Sequence, residues 1–198
     1  MYQFKVLIEG YAHSGENGEY VASPSSVLIW DDKIKVLADP GTNAKMLLEA
    51  LTKENLKPQN IDFIYLTHYH PDHFLNVSLF PGKDIYDGIT KWSQDKEFSH
   101  SGKIPGTEIG ILNTPGHAQE NATLLFETKD FGKVCLASDV FWWEEGKQKT
   151  DDYDDLINNE DSFASDFEAL KSSRKLVLEK ADWIIPGHGK MFKNLFKR

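Results

Sequence analysis

The 198-residue sequence contains one cysteine, Cys135. A single thiol excludes a disulfide framework and points to a reducing, cytoplasmic setting. Long apolar runs are absent too: none approaches the roughly 20 residues that span a bilayer, so no membrane association is expected. Residues 1–11 carry Lys5 and Glu9 inside their apolar stretch and lack a small-residue cleavage site, so no signal peptide is expected. Basic charge is scarce. Lys and Arg number 22 against 31 Asp and Glu, and the net charge of −9 argues against a general affinity for polyanions such as nucleic acid. Internal repeats, low-complexity tracts and linkers are lacking as well, and the length points to one domain over residues 1–198. Bulk is what the chain has in plenty. Its 12 Phe, 7 Tyr and 5 Trp supply large surfaces for a core, which excludes a disordered tail.

The residue pattern predicts strands and helices in alternation. Residues 4–11, 25–31 and 33–39 are apolar, β-branched runs broken by turn residues, with a polar loop over 13–20. A helix is expected over 43–55, where Met46, Leu47, Ala50 and Leu51 recur at helical spacing and Pro58 follows. Residues 61–68 form a near-continuous apolar run, the mark of a strand covered on both faces, and Pro71 suits the start of a helix. Further strands are expected near 84–87, 107–114, 122–127, 133–138 and 182–186. The acidic stretch 144–161 reads as a solvated loop. A last long helix is expected from Ser165, with Ser165 and Glu168 as a capping box. Residues 190–198 read as a terminal helix packed by its apolar side, with a basic strip of Lys190, Lys193, Lys197 and Arg198 as the alternative.

The residues that carry chemistry are His68, His70, Asp72 and His73, followed by His117, Asp139 and His188. His68 and His70 stand two apart at the end of an extended run, so their imidazoles can point the same way. Asp72 and His73 follow the turn at Pro71, where the chain has changed direction. His117, Asp139 and His188 each follow a strand-like run. A lone histidine of this kind is ordinarily a turn residue or a hydrogen-bonded core group. Five at strand ends, four of them beside Gly, Pro or Asp, point instead to metal ligation. Imidazole nitrogen and carboxylate oxygen suit zinc, and a shared carboxylate suits a pair of metals.

The run THYHPDH (67–73) resembles the H-x-H-x-D-H motif of the metallo-β-lactamase superfamily. TPGH (114–117), ASD (137–139) and PGHG (186–189) look like its later motifs in order, and LADPG (37–41) resembles its early Asp-containing turn. The resemblance covers nearly the whole chain. It implies an α/β fold, the αβ/βα sandwich of two mixed β-sheets flanked by helices. It also implies that His68, His70 and His117 hold one metal, that Asp72, His73 and His188 hold a second, and that Asp139 bridges both. A closer likeness, to a branch of the superfamily linked to endonucleolytic RNA processing, runs through residues 66–82, 112–127 and 136–146 and the acidic stretch before residues 174–192. Ser138 departs from the Gly that usually precedes the bridging Asp, and Tyr69 stands between the first two histidines.

The expected cofactor is Zn(2+), two per chain, with iron or manganese as alternatives. Such a pair lowers the pKa of a bridging water from about 15.7 to about 7 and so yields a hydroxide nucleophile, with Asp72 and Asp139 as the catalytic carboxylates. Asp39 is expected either to orient a ligand histidine or simply to form its turn. Two substrate classes remain open: single-stranded RNA, by the closer likeness, and a small ester, lactone, thioester or β-lactam, by the acidic charge and compact size. A mononuclear iron persulfide dioxygenase and a metal-binding protein without turnover are the further alternatives, and a homodimer is compatible with the sequence. With few residues after His188, the helical C-terminal region of glyoxalase II-like enzymes is not expected, and His70 stands where flavodiiron relatives carry Glu. At least one of Trp142 and Trp143 is expected at the mouth of the site. Cys135 reads as a buried apolar residue, while His13 and His100 read as loop residues.

Overall fold

Leu28, Leu37 and Ile64 stand in register on three adjacent strands, β4 (Ser26–Trp30), β5 (Lys35–Ala38) and β6 (Phe63–Tyr65). They face one side with Leu47 and Leu51, while Val27, Ile29, Val36, Ala38, Phe63 and Tyr65 face the other. Alternate side chains leave a strand on opposite faces, so these runs are apolar throughout because both faces are covered. A computed structural model describes residues 1–197, and the arrangement is a four-layer sandwich. Arg198 of the anticipated basic strip lies outside the described residues.

The first sheet has the order β1 (Gln3–Ile8), β4, β5, β6, β7 (Asp84–Tyr86), β8 (Thr90–Ser93), β9 (Lys96–Ser99). The second runs β10 (Gly110–Asn113), β11 (Ala122–Thr128), β12 (Gly132–Trp142), β13 (Trp183–His188), β14 (Phe192–Lys193). Both are mixed, with parallel pairs at β5–β6, β6–β7 and β12–β13. Their inner faces share one core, in which Val27, Val36 and Tyr65 meet Ile111, Leu124, Leu136 and Ile185. Helix α1 (Ala44–Lys53) covers the outer face of the first sheet, and α4 (Phe167–Lys180) that of the second. A ten-residue helix is marginal alone, so burial of Leu47 and Leu51 outweighs propensity in forming α1. Asn43 caps it, accepting the Met46 N–H at 3.1 Å. Short helices α2 (Pro71–Phe74) and α3 (Tyr153–Asn158) flank the strand ends. Among the described residues, no helix is long and apolar enough to cross a membrane.

Several local expectations are corrected. The polar loop at 13–20 belongs to a hairpin, β2 (Tyr11–Ser14) with β3 (Tyr20–Ser23), whose few apolar side chains hide its strand character. The β8–β9 hairpin was not legible either, since TKWS and KEFS show no apolar alternation. Within the acidic stretch, Leu156 and Ile157 are buried and draw α3 onto α4. The N-cap of α4 is Asp166, not Ser165: its carboxylate accepts the N–H groups of Glu168 and Ala169 at 3.1 and 3.0 Å. Residues 190–197 form no helix. Phe192 and Lys193 pair with β13, and the Asn194 side chain donates to the carbonyls of Leu178 and Ala181 at the end of α4. Those bonds fix an extended tail and preclude the turn that helix nucleation requires.

Because β10, β12 and β13 run in one direction, their C-terminal ends lie at one edge of the second sheet. The ends of β5 and β6 lie at one edge of the first sheet. The loops that leave these five ends meet and bring the chemistry-bearing residues together.

Candidate metal centre

The site is built from the ends of strands inward. Asp39 closes β5 in a left-handed conformation, φ 47°, which Asp tolerates better than most residues. Its carboxylate takes four hydrogen bonds: the Thr67 N–H at 2.9 Å, the Thr67 hydroxyl at 2.7 Å, His73 Nδ1–H at 3.0 Å and the Ser138 hydroxyl at 3.3 Å. Asp39 therefore both forms the turn and orients an imidazole. Thr67 passes the support on, its hydroxyl lying 3.1 Å from His68 Nδ1. His188 Nδ1–H lies 3.0 and 2.8 Å from the carbonyls of Tyr11 and Ser23. Ser138 has φ 50°, at a register break in β12. That conformation is the physical reason a glycine suits the position; here the Ser138 hydroxyl binds Thr67 and Asp39 in return. Gly187 lies against Asp139 so closely that any Cβ there would collide with the carboxylate.

The structure brings all seven anticipated residues into one cluster. His68, His70, His117 and Asp139 form one group, and Asp72, His73 and His188 another, with the ligand-type atoms of each within 4.8 Å of one another. Asp139 stands between them. Its carboxylate oxygens lie 3.2 Å from His117 Nε2, 3.4 Å from His73 Nε2, 3.6 Å from His188 Nε2 and 3.9 Å from His68 Nε2. His68 Nε2, His73 Nε2 and Asp139 Oδ1 are buried with no hydrogen-bond partner among the described residues. Orphaned buried donors and acceptors are costly unless something else satisfies them, and donor atoms of this chemistry, converging at these distances, fit a cation. The residues present therefore fit a metal pair.

Electrostatics in the cluster divide the imidazoles. Burial pushes His68 well below the ordinary histidine range, and neighbouring His73 adds to the effect. His70 is lowered by burial and by His117. Burial also opposes charge on His73 and His188, but Asp139 overrides it and raises both. His117 is pushed up to about 9, as hydrogen bonds to Asp139 and Asp161 outweigh its burial. Asp139, despite burial, is held well below the carboxylate range by His73 and His188.

A cavity of about 470 Å³ opens over the cluster, with His70, Asp72, His117, Asp139 and His188 at its base. Its walls are apolar: Tyr20 and Ala22 from the β2–β3 hairpin, Leu75 after α2, Trp142 at the end of β12 and Phe163 before α4. The Phe163 ring centroid lies 5.7 Å from that of Trp142 and 6.3 Å from that of Tyr20. Trp143, on the opposite side of the strand, packs on Phe141 and Phe192 in the outer core. Tyr69 turns away from the cavity and donates its hydroxyl to Asp87. Cys135 is fully buried, and its thiol is pushed up to about 12 by that burial. His100 binds the Thr90 carbonyl and His13 lies on the hairpin; neither joins the cluster.

Two residues went unread in the sequence. Asp161 accepts His117 Nδ1–H at 2.7 Å. Arg174, wholly buried, donates to the carbonyls of Val140, Ile157 and Asn159 at 2.9, 3.0 and 2.6 Å. Arg174 had a signal, a cation on the apolar stripe of α4 between Leu170 and Val177. Asp161 had none, being one acid in an acidic run.

Comparison with known proteins agrees with this geometry. The family model described as Metallo-beta-lactamase superfamily matches residues 20–132. Metallo-beta-lactamase domain-containing protein 1 of Xenopus laevis is 29% identical over 197 residues, covering 95% of this chain and 80% of that protein. The exodeoxyribonuclease WalJ of Streptococcus pneumoniae is 27% identical over 59% of this chain and 40% of its own length. A crystal structure from Thermotoga maritima, described as of a metallo-beta-lactamase, superimposes with a TM-score of 0.72 at 18% identity, over 97% of this chain and 99% of that one. The fold, the motif order and the matched family model together place the chain in the metallo-beta-lactamase superfamily, whose members are metal-dependent hydrolases.

Proposed function

We propose that the chain is a zinc hydrolase with two ions per site, acting on a small neutral carbonyl compound: an ester, lactone, thioester or β-lactam. The observation that carries this reading is the cavity over the cluster, walled by apolar side chains and lined, among the described residues, by no lysine or arginine. A phosphodiester backbone needs cationic partners, and a chain of net charge −9 offers none at this mouth. His68, His70 and His117 would hold one ion, Asp72, His73 and His188 the other, and Asp139 both. Zinc so bound supplies Lewis acidity to the attacked carbonyl and acidifies water.

The side chains do the rest. Asp72 is the more exposed carboxylate of the cluster, its side chain 24% accessible, and it faces the cavity. In this reading Asp72 takes a proton from the attacking water and returns it to the leaving group. Trp142, Phe163, Tyr20 and Leu75 seat the apolar part of the substrate and exclude solvent from the base of the cavity. Asp39 and Thr67 hold the His73 and His68 rings in one orientation.

Cleavage of nucleic acid is the second reading, favoured by likeness to the WalJ exodeoxyribonuclease and by the sequence resemblance to an RNA-processing branch of the superfamily. The two are separated by assaying zinc-loaded protein on neutral aryl esters, lactones and thioesters and on a labelled single-stranded RNA, with Asp139→Ala as the control. Turnover of a neutral substrate by the wild type alone is expected. Cleavage of RNA without any small-molecule turnover would reverse the assignment.

A further inference from the structure

We propose that Asp161 is a positioning residue for the metal centre: its carboxylate accepts the Nδ1–H of His117 and so aims Nε2 of that ring into the cluster. The inference rests on the reading of His117 as a zinc ligand. The Nδ1–Oδ2 distance is 2.7 Å, and the side chains of His117 and Asp161 are 1% and 0% accessible. The other carboxylate oxygen accepts the Phe163 N–H at 2.9 Å, so the group is held from two sides. On the opposite edge of the imidazole, Nε2 faces Asp139 at 3.2 Å. A ring gripped at one nitrogen in this way has a fixed tautomer and a fixed direction.

The segment that carries Asp161 is itself anchored to the turn that carries His117. Ser165 N–H donates to the His117 carbonyl at 3.1 Å, and Asp166 N–H donates to the Gly116 carbonyl at 2.9 Å. The Ser165 hydroxyl reaches the same Gly116 carbonyl at 3.0 Å. Arg174 fixes the approach to Asp161 through the carbonyls of Ile157 and Asn159, and it holds Val140 beside Asp139. Two residues after Asp161, Phe163 forms part of the cavity wall. One stretch of chain thus contributes a wall to the substrate cavity and a support to a ligand ring. The acidic region is more than a solvated loop at this point.

Zinc affinity, measured by competition with a chromophoric chelator, tests the assignment, together with the visible spectrum of the cobalt-loaded protein. Asp161→Ala is expected to weaken binding about 10- to 100-fold and to alter the cobalt spectrum. Asp161→Asn, whose amide oxygen still accepts the hydrogen bond, is expected to recover most of the loss. Asp154→Ala removes an exposed charge from the same region and is expected to leave both readouts unchanged. If the alanine variant fails to fold, Asp161→Ser, too short to reach the ring, provides the same comparison. Unchanged affinity and spectrum for a folded Asp161 variant overturn the inference while leaving zinc binding intact. An equal loss in Asp154→Ala also overturns it, because bulk charge would then be the cause. A wild-type protein that binds no zinc overturns both this inference and the reading on which it rests.

Discussion

Four of the five clustered imidazoles are held at Nδ1 by oxygen acceptors: His68 by Thr67, His73 by Asp39, His117 by Asp161 and His188 by two main-chain carbonyls. Each then turns Nε2 toward Asp139. With metal stripped by a chelator, His117 binds its proton up to about 9, well above its ordinary 6.5, and His73 and His188 shift in the same direction. A raised pKa contributes folding stability that is complete below about pH 6.5 and fades as pH climbs through about 9. Zinc must displace those protons, so it competes less well in acid. The rise in melting temperature on adding zinc is therefore expected to grow between pH 6.5 and about 9, which thermal unfolding with and without zinc can follow. A rise that is flat or shrinks over that interval would contradict the assignment of these rings as ligands. At this scale the candidate cluster was readable, because His68, His70, Asp72 and His73 announce themselves within six residues. Asp161 was not, since its partner lies 44 residues away.

At the level of elements, α4 does more than cover a sheet. Leu170, Val177 and Leu178 supply its apolar face, and Arg174 sits in the same stripe with its guanidinium wholly enclosed. Burial lowers its pKa to about 10, and the Asp161 charge offsets part of that effect. Arg174→Ala would strip donors from three main-chain carbonyls. A buried unsatisfied group costs about 1–3 kcal/mol. The variant is expected to lose at least about 3 kcal/mol, measured as a lower urea midpoint at unchanged slope. Arg174→Lys is expected to recover little, because one ammonium cannot reproduce the planar fork. Loss below about 1 kcal/mol would show that the carbonyls find other partners. Sequence periodicity located α1, α4 and most strands of the two sheets. It missed the β2–β3 and β8–β9 hairpins and α3, which are held by contacts made elsewhere in the chain and not by a strong local pattern.

The whole molecule sets the environment of the chemistry. Cavity walls come from the β2–β3 hairpin, from the residue after α2, from the end of β12 and from the segment before α4. Phe163 is 54% exposed and contributes to that wall. Phe163→Ala is expected to raise KM for an apolar ester about fivefold with little change in kcat, the signature of binding lost equally in ground and transition states. Turnover of a neutral substrate is expected to hold steady between about 50 and 200 mM salt, a range over which binding of a nucleic acid falls steeply. Steady-state kinetics at two salt concentrations check both statements, and a salt-sensitive KM would count against the neutral substrate.

Local chemistry determined a great deal by itself. Runs apolar on both faces called for covered sheets, and histidines at the ends of such runs called for a common partner, so the strands and the seven clustered residues were legible in order along the chain; the fold class came from the resemblance of the ordered motifs to the superfamily. Tertiary structure alone decided what surrounds that cluster. The pairing of Asp161 with His117, the enclosure of Arg174 and the meeting of Tyr20, Trp142 and Phe163 over one cavity join residues from distant parts of the chain. Short-range pattern records which face of an element is apolar; it does not record which loops the packing of two sheets will bring to the same edge.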